Sequence, residues 1–217
     1  MGRHAAETLA REGRVWIRGA VPEGELGEIA AAVEGSGRLD LHGPLGALLR
    51  DGAAGRAVRR LRSGMAPVRA VAFEKNERNW RLPWHQDRVI RVAERDDAAP
   101  VANWSRKGSV WHCEPDGDVL RAMLFARIHL DRCDAGAGGM EMALGSHARG
   151  PVPAADAARV AREHPREVEE AAPGDVLILS MFTLHRSRPA SRPAARRRVL
   201  RVDYAAGPPP APLRWDV

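Results

Sequence analysis

The sequence predicts a mainly β fold, a sandwich or barrel with flanking helices. From residue 68 onward, short apolar runs are separated by Gly, Pro and Asp, which is typical of antiparallel strands. The first third carries helix-type patterns instead. A chain of 217 residues suits one domain. We therefore expect a single domain over residues 1–217, in which a mostly helical part, 1–66, packs on a β core, 67–205.

Each element follows from its local pattern. The first third is predicted to contain an amphipathic helix, a strand, a helix introduced by Pro22 and two short helices, at 5–11, 15–18, 23–33, 44–50 and 57–62. The β core is predicted to contain strands at 68–74, 84–88, 122–130, 139–144, 176–180 and 199–204, and one helix at 154–162. The segment 88–121 is left as a long loop, and such loops are often functional lids.

The composition is that of an ordinary globular protein, with 44% hydrophobic and 29% charged residues. No run approaches the roughly 20 apolar residues of a membrane helix, and the first residues lack the apolar segment of a secretory signal. We therefore expect a cytoplasmic protein without membrane contact. Its two cysteines, Cys113 and Cys133, are expected to be free thiols.

The net charge of +6 and the pI near 10.4 come almost wholly from Arg. The arginines are scattered along the chain rather than clustered as in a nucleic-acid surface. Only 5% of residues are aromatic, which leaves little material for base stacking. We expect a small anionic substrate and no nucleic acid, although the general Arg bias of a GC-rich genome is an alternative explanation of the pI.

The sharpest local signal is Trp84-His85-Gln86-Asp87. Residues two apart on a strand face the same side, so this imidazole and this carboxylate can reach one metal ion. A third ligand, His185, follows the apolar strand that Asp175 opens. Two histidines and one carboxylate leave positions open on Fe(II) for oxygen and a chelating cosubstrate. Taken alone, however, His-x-Asp is common by chance.

Further motifs follow in a fixed order: Gly145-Ser146-His147, Pro173-Gly174-Asp175, His185-Arg186-Ser187 and an Arg-bearing strand. In this order and spacing, over roughly 68–204, the chain resembles the phytanoyl-CoA dioxygenase-like family. That resemblance implies a double-stranded β-helix, a cupin-like jelly-roll barrel, that binds Fe(II) and 2-oxoglutarate. Its metal ligands, which are also its catalytic residues, would be His85, Asp87 and His185. His147 is assigned to a structural turn.

The resemblance also implies an Arg for the 2-oxoglutarate C5 carboxylate, about a dozen residues past the distal His. Arg196, Arg197 and Arg198 are consecutive there, and Arg197 fits the family pattern best. Its guanidinium fork matches a carboxylate bidentately. Ser187 and Gln86 complete the predicted cosubstrate set. On the final strand, alternation places Arg197, Val199, Arg201 and Asp203 on one face.

Candidate substrate residues come from two segments. Arg127 and His129 alternate with aliphatic residues and would face the barrel interior if those aliphatics pack outside. An interior Arg would suit an anionic substrate. In the long loop, Trp111, His112 and Glu114 offer groups that could line a pocket, or simply a packed loop anchored by its Trp.

The reaction implied by the resemblance consumes O2 and 2-oxoglutarate, releases succinate and CO2, and hydroxylates a C–H bond or drives a related desaturation or ring closure. Asp87 favours hydroxylation over halogenation, because related halogenases replace this carboxylate by a small residue that leaves room for halide. Two alternatives stay open. One is a catalytically silent jelly-roll that binds or senses a small molecule. The other is a cupin-like metal-dependent isomerase or hydrolase, which usually has more His ligands.

Overall fold

The computed structural model describes residues 2–33, 35, 37–75, 82–134, 136, 138–189 and 197–217. The helices are α1 (Gly2–Glu12), α2 (Glu23–Ala32), α3 (Pro44–Asp51), α4 (Ala53–Leu61), α5 (Gly117–Ala122) and α6 (Ala157–Arg162). The strands are β1 (Arg14–Ile17), β2 (Gly37–Leu39), β3 (Ala66–Lys75), β4 (Leu82–His85), β5 (Ile90–Val92), β6 (Ala102–Lys107), β7 (Val110–Glu114), β8 (Leu124–His129), β9 (Met140–Ala143), β10 (Arg166–Val168), β11 (Val176–Ser180), β12 (His185–Ser187) and β13 (Arg197–Ala205).

Two antiparallel sheets form the jelly-roll. The larger has the strand order β1-β11-β8-β13-β3-β2, and the smaller has the order β10-β9-β12-β4. Their facing sides share one apolar core, in which Phe125 and Leu177 of the larger sheet pack with Met140 and Met142 of the smaller. The predicted mainly β jelly-roll with flanking helices is confirmed.

The helices of the first third cover the outer face of the larger sheet. Leu9, Ile29, Leu49 and Val58, one from each of α1 to α4, belong to a core that also contains alternate residues of the sheet. Strand β11 shows the consequence, since Ile178 lies in this outer core while its neighbours Leu177 and Leu179 lie in the inner one. A strand buried on both faces accounts for its uninterrupted apolar sequence.

The segment 88–121 is not a long loop, so that prediction is wrong. It forms a third antiparallel sheet, β5-β7-β6, followed by α5. The chain end packs beside this sheet, where Trp215 bridges to Val92 and Asp216 pairs with Arg91. The sequence analysis also missed the three-residue strands β2, β10 and β12. Such short strands contain too few residues to show an alternation of apolar and polar side chains.

Two further predictions concern the cysteines and the helices. Cys113 and Cys133 are buried free thiols, as predicted. Within the described ranges, none of the helices has the length and apolar character needed to cross a membrane.

Candidate metal centre

Two neighbouring strands of the smaller sheet bring the predicted metal ligands together. β4 and β12 are antiparallel, and their register pairs His85 with His185. Asp87 lies two residues beyond the end of β4, rather than on the strand as predicted. One ligand atom from each of the three side chains falls within 4.8 Å of the other two. Residues far apart in sequence therefore converge as the sequence analysis expected.

Each of the two histidines is oriented by a hydrogen bond from its Nδ1 to a backbone carbonyl two residues earlier in the chain. His85 Nδ1 lies 2.7 Å from the Pro83 carbonyl, and His185 Nδ1 lies 2.9 Å from the Thr183 carbonyl. Because a carbonyl oxygen only accepts, Nδ1 of each ring carries a proton, and Nε2 is the ring nitrogen left for another partner. Metal-bound histidines are typically held by such bonds to their second nitrogen.

The spacing of the ligand atoms fits a metal ion. His185 Nε2 lies 3.1 Å from Asp87 Oδ2. An imidazole lone pair and a carboxylate oxygen at this separation need a proton or a cation between them. Adjacent ligands of an octahedral ion with bonds of about 2.1 Å lie about 3 Å apart. The donor set, two imidazoles and a carboxylate, is that of non-haem Fe(II) sites.

The surroundings keep Asp87 ionised. Burial alone would raise the pKa of this carboxyl, but the charges of Arg201 and His185 hold it well below its usual range. Arg201 Nη1 lies 2.5 Å from Asp87 Oδ2. Burial, with His185 as a second cause, lowers the pKa of His85. At neutral pH the centre therefore contains a carboxylate and a neutral His85 ring, which are the forms that bind metal.

A pocket of roughly 760 Å³, including its open mouth, reaches this centre. Six of the predicted site residues line it: His85, Asp87, Arg127, His185, Ser187 and Arg197. Its other lining residues are Arg69, Phe73, Leu82, Phe125, Met140, Arg186 and Arg201. The pocket wall is therefore rich in guanidinium groups.

Arg197 lines the pocket, whereas Arg198 is not among its lining residues. Arg197 Nη1 lies 3.3 Å from Cys133 Sγ and 3.4 Å from Glu169 Oε2, and the buried Arg197 Nε has no hydrogen-bond partner among the described residues. Arg198 points to the other side of β13 and is bound twice by Asp131, at 3.0 Å each. Arg196 lies outside the described residues. Arg197 thus has donor capacity left for a ligand.

Glu169 is a site residue that the sequence analysis missed. It is fully buried beside the pocket and accepts two bonds from Arg127, at 2.7 and 3.2 Å, besides the longer contact from Arg197. Burial would raise the pKa of this carboxyl, but Arg127 and His129 hold it well below its usual range. Glu169 therefore contacts two pocket arginines and offsets one of their two positive charges.

Two of the predicted substrate residues lie on β8 as expected, but they differ in whether they reach the pocket. Arg127 lines the pocket, with its guanidinium committed to Glu169. His129 is fully buried, lies 3.1 Å from Glu169 Oε1 and packs 5.6 Å from the Trp16 ring. The interior orientation was predicted correctly, but His129 is outside the pocket lining.

The other substrate candidates lie on β7, outside the pocket. Trp111 packs edge-on against Trp104, and Glu114 binds Arg88 and Asn103. His112 is buried with neither ring nitrogen bonded. Burial, with Arg69 as the next cause, lowers its pKa to about 4. These three residues do not line the pocket at the metal centre, and their substrate role stays a prediction.

Gln86 is committed to the fold rather than to the pocket. Its side-chain amide donates to the Gly150 and Phe182 carbonyls, at 2.9 and 2.7 Å, and accepts from Val152 N at 2.8 Å. These bonds fix the chain beside β4. Gln86 is not among the residues that line the pocket, and its cosubstrate role stays a prediction.

The Gly-Ser-His motif is a structural turn, as predicted for His147. It forms a short 3-10 helix, Ser146–Arg149, in which His147 Nε2 lies 3.1 Å from the Ala10 carbonyl. Ser146 Oγ donates to the Ala143 carbonyl and accepts from Leu184 N, at 2.7 and 2.9 Å. The turn thereby fixes the residue next to His185.

A jelly-roll that holds two histidines and a carboxylate at an open pocket defines the class of mononuclear non-haem metal enzymes. Comparison with known families places the chain within it. The phytanoyl-CoA dioxygenase (PhyH) family model matches residues 9–199. The chain therefore belongs to this family and is a dioxygenase-type enzyme. No curated protein matches the chain at a significant level.

Several solved structures share the fold. The non-haem α-ketoglutarate-dependent carbocyclase SnoK from nogalamycin biosynthesis is 18% identical with a TM-score of 0.68, over 94% of this chain and 83% of SnoK. HygX from Streptomyces hygroscopicus, with nickel and 2-oxoglutarate bound, is 16% identical with a TM-score of 0.62, over 94% and 86%. EctD from S. alaskensis, with bound Fe, is 15% identical with a TM-score of 0.68, over 95% and 77%.

Proposed function

We propose that this protein is an Fe(II)- and 2-oxoglutarate-dependent oxygenase that hydroxylates, or otherwise oxidises, a C–H bond of a small anionic metabolite and releases succinate and CO2. The observation that carries the proposal is the convergence of His85, Asp87 and His185, each histidine with Nδ1 on a backbone carbonyl and Nε2 left for a metal. A silent binding protein is less favoured, because it has no need of this orientation.

In this proposal the three side chains hold Fe(II), which with O2 and 2-oxoglutarate supplies the oxidising power. The protein's own contribution is positioning. Arg201 keeps Asp87 ionised and aimed at the centre. Phe125, whose ring lies 5.7 Å from that of His185, presents an apolar surface that excludes water beside the ligands.

The cosubstrate is assigned to Arg197 and Ser187. Arg197 is almost fully buried at the pocket wall, with an unbonded Nε that suits one end of a dicarboxylate. Ser187 lines the same pocket, two residues after His185. The bound 2-oxoglutarate of HygX, on the same fold, supports 2-oxoglutarate as the cosubstrate.

The type of oxidation is inferred from Asp87 and from the reactions of proteins that share this fold. With the carboxylate in place, hydroxylation or ring closure is preferred to halogenation. SnoK, a carbocyclase on the same fold, illustrates a reaction other than hydroxylation. The guanidinium-rich pocket favours an anionic substrate.

Metal content and succinate formation test the proposal. Protein dialysed anaerobically with Fe(II) should retain one equivalent and, with O2 and 2-oxoglutarate, should form succinate slowly even without substrate. Asp87→Ala should lose both properties. Asp216→Ala, which removes a carboxylate from a part-buried pair with Arg91 outside the pocket lining, is the matched control and should keep both. Full iron retention by Asp87→Ala would refute the assigned site.

A further inference from the structure

We propose that Arg69 and Arg201, held together by Asp203, form the subsite that binds the anionic group of the substrate, a carboxylate or a phosphate. The inference rests on the proposed function and adds the position of that group. Arg201 Nε lies 2.7 Å from Asp203 Oδ1, and Arg69 Nη1 lies 3.3 Å from Asp203 Oδ2. One carboxylate therefore holds two guanidinium groups side by side in the pocket wall.

Both arginines have donors left over. Arg201 Nη2 and Arg69 Nε are buried and have no hydrogen-bond partner among the residues that the structure describes. Buried N–H groups are nearly always paired in folded proteins, so two adjacent orphans in a pocket wall point to a ligand. A guanidinium fork is also the donor geometry that carboxylate and phosphate oxygens match.

The charge balance of the pocket singles out this pair. Arg127 is neutralised by Glu169, and Arg186 is neutralised by Glu141. Arg197 is assigned to the cosubstrate. Once Asp87 serves the metal, Asp203 is the one carboxylate of the described residues that pairs with Arg69 and Arg201, so the two arginines keep one positive charge in excess. A buried charge without a counter-ion is costly, so a singly charged anion binds favourably there.

The backbone explains why the two groups meet. Arg69 on β3 and Asp203 on β13 are directly paired in the sheet register, and Arg201 lies two residues before Asp203 on the same face. The Arg201 guanidinium also lies 4.2 Å from the centre of the Phe125 ring, which fixes its plane. The subsite is therefore built on two central strands and is pre-organised.

The position of the subsite restricts the substrate. Arg201 donates to Asp87 through Nη1, while its free Nη2 belongs to the same planar group. An anion on Nη2 consequently lies beside the metal-binding carboxylate. The C–H bond that is oxidised must then lie within a few bonds of the substrate's anionic group.

Calorimetric titration of anions tests the proposal. The protein is loaded with Mn(II) and N-oxalylglycine, an unreactive analogue of 2-oxoglutarate, and titrated with propionate and, separately, with inorganic phosphate. One site is expected, with affinity at least tenfold weaker in Arg69→Gln. Arg50→Gln, an exposed change of the same charge on α3 across the sheet, should bind like the wild type. The tighter anion identifies the chemical source, carboxylate or phosphate.

Two results would overturn the subsite. One is unchanged anion affinity in Arg69→Gln. The other is anion binding that disappears once N-oxalylglycine is loaded, since the anion would then occupy the cosubstrate position. If Arg69→Gln does not fold, Arg69→Lys takes its place, because it keeps the charge but loses the fork and should weaken binding severalfold. Failure of N-oxalylglycine itself to bind would instead count against the proposed function.

Discussion

Replacing Glu169 by Gln is expected to destabilise the protein by about 3–5 kcal/mol, the usual cost of leaving a buried charge without its partner. Glu169 is fully buried and accepts bonds from Arg127 at 2.7 and 3.2 Å, and from Met140 N at 3.2 Å. Its removal leaves the like charges of Arg127 and Arg197 unbalanced in the interior. Surface pairs, by contrast, contribute about 1 kcal/mol or less.

Urea unfolding measures this effect. With a slope of about 2–3 kcal/mol/M, the midpoint should fall by about 1–2.5 M without a change of slope. Glu163→Gln, in the exposed pair with Arg149, is the control and should shift the midpoint little. The double variant Arg127→Met/Glu169→Leu should recover part of the loss, because it removes the Arg127 charge together with Glu169 and leaves Arg197 as the remaining unbalanced charge. A midpoint for Glu169→Gln within error of the wild type would refute this reasoning.

Three further predictions follow from single side chains. Arg197→Lys should raise the KM for 2-oxoglutarate about tenfold to a hundredfold at unchanged iron affinity, because hydrogen bonds to charged groups contribute roughly 1.5–3 kcal/mol. Steady-state kinetics measures this KM, and an unchanged value would contradict the assignment of Arg197 to the cosubstrate. The free energy of unfolding should fall as the pH drops from about 6.5 toward 4. In this range His112 takes up a proton in the unfolded chain, whereas in the folded protein burial lowers its pKa to about 4. Urea unfolding at pH 7 and 5 should show this loss, and His112→Gln should lack the part of the loss that comes from His112. Both thiols should resist a thiol reagent at pH 8 until the protein unfolds, because burial raises the pKa of Cys113 to about 11 and raises that of Cys133; rapid reaction of either native thiol would disagree.

The elements predicted well from sequence are those buried on a regular pattern. β11 is apolar throughout because both of its faces are covered. The third sheet was missed because β6, Ala-Asn-Trp-Ser-Arg-Lys, is largely exposed and has no apolar alternation. Its strands are held by β7 and by the chain end, which are contacts that local sequence does not encode.

The site divides in the same way. His85, Asp87 and His185 were predictable because metal binding demands particular residue types at particular spacings. Glu169 was not, since Arg166-Glu167-Val168-Glu169-Glu170 looks like a solvated charge run, and its burial arises only when β10 pairs with β9. The backbone partners of Gln86 were not predicted, because a motif position does not reveal which backbone groups lie within reach in the fold.

The most direct test of the central claim is anaerobic titration of Fe(II)-loaded protein with 2-oxoglutarate, followed by the visible metal-to-ligand charge-transfer band. The wild type should develop the band, Arg197→Ala should need far more cosubstrate, and Asp87→Ala should show none. Arg198→Ala, on the opposite face of β13, should match the wild type. Absence of the band at every concentration, or a band that persists in Asp87→Ala, would contradict the account.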